Sequence, residues 1–156
     1  MNIFALSDNP IQAAQWHTDS HCIKMILETA QLLCAVFHIQ DDVYNIPYKL
    51  THKNHPCAKW CRESSENFEW TLALGNALCK EYTERYGRIH KTQAVLEWVE
   101  HNKHLLRFSK VGRTPFALAM PDEYKTDCPF QSYRNYYIAG KKHLHKWRQH
   151  TPHWIN

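Results

Sequence analysis

The chain has 156 residues, 44% of them apolar and 22% charged, with a formal net charge of +4 before its 12 histidines are counted. That length suits one ordinary domain with a real core, and the apolar content excludes a disordered chain. Only 4 Gly and 7 Pro leave little room for the turns of a sandwich or barrel, so the expected fold is all-α: one compact domain, residues 1–156, with three long helices. No apolar run is expected to reach the length of a membrane span, and Met1–Ser7 lacks the basic region and long apolar stretch of a signal peptide. The 6 cysteines read as buried reduced thiols, which suits a cytoplasmic compartment.

Residues 2–6 read as a short strand or an extended arm. Asp8-Asn9-Pro10 is a helix start, a capping side chain followed by Pro at the first helical position, and predicts a short helix from Pro10 to about Trp16. Asp19 can then cap a central helix over 19–38. There Ile23, Ile26, Leu27, Ala30, Leu33, Cys34 and Phe37 recur at spacings of three and four and mark a core face. Within the same helix His21, Lys24, Glu28 and Gln31 fall in one row, which His17 extends if the chain is already helical there. Buried charge is costly unless paired. A Lys and a Glu one turn apart on so apolar a helix are therefore either a satisfied internal pair or the floor of a cleft.

Residues 39–50 read as a loop broken by Asp41-Asp42 and Ile46-Pro47. Thr51–Cys57 is polar and rich in histidine, and it precedes a helix opened by Pro56. The free N–H groups there could take a DNA phosphate beside His52 and His55, or Asn54 or His55 simply caps the helix. One longest helix is expected from Pro56 to Tyr86, with Phe68, Leu72, Gly75, Cys79, Tyr82 and Tyr86 as its seam and Gly87 as its stop. Another helix is predicted over 90–106, then a turn at Gly112–Pro115, a short helical turn over Phe116–Met120 and a polar loop to Lys125. A last helix is predicted over 130–148. In it Arg134, Lys141, Lys142, Lys146 and Arg148 interleave with Tyr133, Tyr136, Tyr137 and Trp147. Such cations can hold phosphates while the aromatics stack on unpaired bases, or the helix simply presents a solvated basic face.

There is no GxGxxG, P-loop or GxSxG motif. His17, His21 and Glu28, or His52, His55, Cys57 and Cys61, have the residue types of a metal site. Neither set has zinc-finger or HExxH spacing, so no metal is expected.

Three anchors in order resemble a known family. Asp19-x-His21 followed by Glu28 and Ala35-Val36 is similar to the first long helix of the phage pyrimidine-dimer DNA glycosylases of the endonuclease V type. Met120-Pro-Asp-Glu-Tyr-Lys-x-Asp127 resembles that family's Pro-x-Glu-aromatic-basic segment, and Pro152-x-Trp154 its ending after a basic helix. The resemblance implies a compact all-helical domain without metal or organic cofactor. It implies attack by the N-terminal amine on the sugar carbon bearing the damaged base, a Schiff base, and β-elimination, with Glu28 as the essential carboxylate. An α-amine has a reference pKa near 8 against about 10.4 for lysine, so more of it is neutral and nucleophilic at pH 7. Asn2 is bulky enough to leave Met1 in place, so the nucleophile is expected to be the Met1 amine, with Lys24 as the substitute. The family carries arginines beside its Glu, where this chain has Leu27 and Gln31.

The reading is thus a monomer that binds damaged or modified duplex DNA and no membrane, in the cytoplasm of a bacterial or phage-infected cell. His17, His21, Gln31, His52 and His55 would line its pocket. Two other readings remain open: a metal-dependent hydrolase or nucleotide-modifying enzyme built on His17, His21 and Glu28, and a DNA-binding protein without catalysis.

Overall fold

Asn9 opens helix α1 (Pro10–Trp16), its side chain accepting from the N–H groups of Ile11 and Gln12. In the computed structural model, which describes residues 1–156, every regular element is helical. The Ile3–Leu6 arm before α1 is buried and irregular, turning at Phe4, and forms no strand.

Helix α2 (Asp19–Ile39) is capped by Thr18, whose hydroxyl accepts from His21 N–H at 3.3 Å. Asp19, the expected cap, instead pairs with the buried Arg85 at 3.1 Å. Of the expected core face, Ile26, Ala30, Leu33, Cys34 and Phe37 are buried, but Ile23 and Leu27 are 42% and 40% exposed. The buried stripe is narrower than the apolar spacing implies, because no other element covers that edge of the helix. Contrary to the sequence expectation, α2 is long and apolar enough to cross a membrane by length and composition, though 67% of that stretch is buried within this fold.

The single helix predicted over Pro56–Tyr86 is two, α3 (Pro56–Glu63) and α4 (Ser65–Tyr86). Ser64 is extended and caps α4, accepting from Asn67 N–H at 3.1 Å. The first free N–H groups of α4 go to the carbonyls of Lys110 and Val111, and the Asn67 side chain ties the break to Trp60 and Thr114. A returning strap therefore satisfies what a helix break leaves open. Gly87 ends α4 with φ +68°, as expected of a C-terminal glycine.

Helix α4 lies against α1 and α2. At Gly75 an added Cβ would sit 3.1 Å from Leu96 methyls and from Thr29 Cγ2, so glycine lets α2, α4 and α5 (Gln93–Asn102) close up. A 3₁₀ turn, Lys103–Leu105, finishes α5 within the predicted 90–106 span.

Phe116–Ala119 forms no helix and is irregular. Side chains satisfy its backbone: Tyr133 Oη donates to Ala117 O at 2.6 Å and Asn2 Nδ2 to Ala119 O at 2.7 Å. The predicted polar loop contains a 3₁₀ turn, Asp122–Tyr124. The last long helix does not form. Helix α6 (Pro129–Asn135) runs into a π turn, Tyr136–Gly140, and a 3₁₀ turn, Lys142–Leu144. Beyond it the chain is captured by α1 and α2. Asp19 N–H donates to Lys146 O, Arg148 N–H to Asp19 Oδ1, and Trp147 Nε1 to Trp16 O. Only α2 and α4 are therefore long. Their packing buries a polar centre in which Arg85 donates to Asp19, Glu81 and the carbonyls of Gln15 and His17.

Candidate active site

The polar row of α2 faces the chain's first residues. Asn2 is the clamp: its Oδ1 accepts from the N–H groups of Ile3 and Phe4 while its Nδ2 holds Ala119. This tight turn puts Phe4 at φ +38°, a strained conformation for a bulky residue. The Phe4 ring is fixed by stacking on His21 at 4.3 Å between centroids. With the arm so placed, the Met1 amine lies 2.8 Å from Glu28 Oε1. Lys24 Nζ lies 3.8 Å from Glu28 Oε2, and its side chain is 71% exposed. One carboxylate therefore faces two amines, one tucked inside and one at the lip.

These groups open onto a cavity of about 440 Å³. Glu28, His21 and Met25 form its α2 side, Met1, Asn2 and Phe4 the arm side, and Leu118–Met120 a third wall. His55, Pro56, Tyr136 and Lys141 complete the rim. His21 Nδ1 is 2.6 Å from Tyr137 Oη. Burial, reinforced by His17 and the nearby lysines, pushes His21 down to about 3, so its ring is neutral at physiological pH. His55 caps α3 through Nδ1, which accepts from Cys57 N–H, and burial with the adjacent terminal amine lowers its pKa too. Both imidazoles serve here as hydrogen-bonding groups rather than as cations.

Glu28, Lys24, Met1, His21 and His55 share this cavity, joined by Lys141 from the C-terminal segment, and the other residues singled out in the sequence lie elsewhere. His17 lies beneath the site, fully buried, with Nδ1 on Ala13 O at 2.7 Å, because α1 ends there and turns it inward. Gln31, one turn past Glu28, is half-buried outside the cavity. His52 is exposed at φ +52° and bonded to Thr51, also outside it. Arg134 and Arg148 lie outside the cavity: Arg134 donates to Leu6 O and lies over Trp16 and Trp154, while the exposed Arg148 donates to Arg85 O and lies over Tyr86. Lys142 and Lys146 are exposed, but with the last helix broken they do not line up with Lys141.

His17, His21 and Glu28 do not converge on a metal position. The three ligand-type side chains with donor atoms within 4.8 Å of one another are Glu81, Glu84 and His150, on another face. Cysteine nucleophiles are also disfavoured. Five of the six thiols are buried, and burial pushes Cys57 and Cys61, near α3, up to about 12.

Asn2, Phe4 and Leu118–Met120 were not assigned to the site from sequence. Tyr136 and Tyr137 carried a signal as aromatics interleaved with cations, and Met120 as the start of the segment resembling the glycosylase family. No family model, curated protein or solved structure matches this chain.

Proposed function

We propose that the protein binds duplex DNA and excises a damaged or modified base, with the Met1 amine as nucleophile and Glu28 as its partner carboxylate. The observation that carries this reading is the 2.8 Å contact between that amine and Glu28 at the edge of an open cavity. The cavity falls within the roughly 300–1,000 Å³ typical of small-molecule sites, and Lys24 and Lys141 give its mouth positive charge. Three ordered sequence anchors point the same way.

The chemistry follows from the placement. A target nucleotide turned out of the stack enters the cavity. Glu28 takes a proton from the Met1 ammonium, and the freed lone pair attacks C1′ while the base leaves with the electrons of the glycosidic bond and takes up that proton. The substituted amine gives its next proton to Glu28, which passes it to O4′ as the C1′–O4′ bond breaks and C1′ and the nitrogen form an iminium. Loss of a proton from C2′ then expels the 3′ phosphate. Glu28, in contact with the amine, is the group placed to stabilise positive charge on the sugar and carry protons. Phe4 and Tyr136 give the cavity an aromatic wall, and Lys141, 5.1 Å from the Tyr136 ring centroid, stands where a phosphate would pass.

Strand cleavage of abasic-site duplex, with borohydride present to capture the iminium, tests this reading. Wild-type protein should yield a covalent adduct in the presence of chelator, and Glu28→Gln should lower the rate by about 10²-fold or more. DNA binding without adduct or cleavage would refute the catalytic proposal.

A further inference from the structure

The open face of α2 beside the cavity consists of Ser20, Ile23, Lys24, Leu27 and Gln31. Two of these, Ile23 and Leu27, are large apolar residues left 42% and 40% exposed by a fold that buries nearly every other apolar position on the helix. They are one turn apart, Lys24 lies on the adjoining strip that leads to the cavity, and Leu27 immediately precedes Glu28. An exposed apolar pair beside the strip that borders a reaction cavity, with an exposed lysine next to it, is the pattern of a side-chain wedge. Such wedges enter the DNA stack and offset the cost of unstacking a base step.

We propose that Ile23 and Leu27 enter the duplex and fill the gap left by the nucleotide that turns into the Glu28 cavity. This rests on the base-excision reading above. Charge complementarity selects the partner. The Lys24 side chain is 71% exposed on the neighbouring strip of the helix with its ammonium 3.8 Å from Glu28, Lys141 lines the same cavity, and the Glu28 charge is met by the Met1 amine. The face therefore presents apolar surface beside positive charge, which suits the base stack and phosphates of duplex DNA. The wedge matters only where a stack must be opened. A single strand needs no gap filled.

The test compares borohydride trapping on an abasic duplex with trapping on the same abasic strand alone. Ile23→Ala/Leu27→Ala should slow the duplex reaction by about ten- to a hundredfold and leave the single-strand reaction within about twofold. Leu27→Phe, which keeps the bulk, should retain duplex activity. Equal loss on both substrates, or no loss on the duplex, overturns the wedge while leaving the excision chemistry standing. A wild-type protein that traps neither substrate removes the excision reading and the wedge with it. Sedimentation showing a dimer that the double variant dissociates would assign this face to a second copy of the chain and also overturn the proposal.

Discussion

Two buried histidines make the fold acid-sensitive above the usual carboxylate range. Burial holds His17 at about 4 and His21 at about 3, against an ordinary 6.5. Both are lowered in the folded state, so below 6.5 the unfolded chain takes up protons that the native chain refuses. Stability is complete above that value and falls as pH drops toward 4 for His17 and 3 for His21. Each group contributes a slope of about 1.4 kcal/mol per pH unit. At pH 5 that is about 2 kcal/mol each and about 4 kcal/mol together, a large share of the roughly 5–15 kcal/mol that holds a domain. Urea unfolding at intervals between pH 7 and pH 5 measures it directly. His21→Gln should remove about half of the loss. Stability that stays flat over this interval, or an unchanged slope in the variant, would refute the placement of these rings as buried and neutral.

Arg85→Met should be strongly destabilising. It leaves the Asp19 and Glu81 carboxylates buried without their partner, a loss of about 3–5 kcal/mol by denaturant titration. Gly75→Val should cost about 1–3 kcal/mol by the same measurement, because its side chain would press on Leu96 and Thr29 at the meeting of three helices.

The row of His21, Lys24 and Glu28 was legible in sequence because helical spacing alone stacks residues three and four apart. The amine at Glu28 was not, since no local periodicity relates residue 1 to residue 28; only the family resemblance suggested it. Ile23 and Leu27 were misassigned to the core because the width of a buried stripe depends on what packs against it. The break at Ser64 carried a sequence signal, a serine three residues before Asn67, outweighed by the apolar seam that follows. The C-terminal segment has helical spacing of aromatics and cations. There tertiary bonds to Asp19, Trp16 and Arg85 outweigh intrinsic propensity, and they hold Arg148 against the end of α4. The helix ends Asn9-Pro10 and Gly87 were read correctly because their cause is local.

The claim that the Met1 amine is the attacking group is tested most directly by mapping the reduced DNA adduct. Wild-type protein, trapped on abasic-site DNA with borohydride, is digested and its modified peptide sequenced by mass spectrometry. The account predicts the sugar remnant on the α-nitrogen of Met1 and an undiminished yield from Lys24→Ala. A remnant on Lys24, or no remnant on any residue, would contradict it.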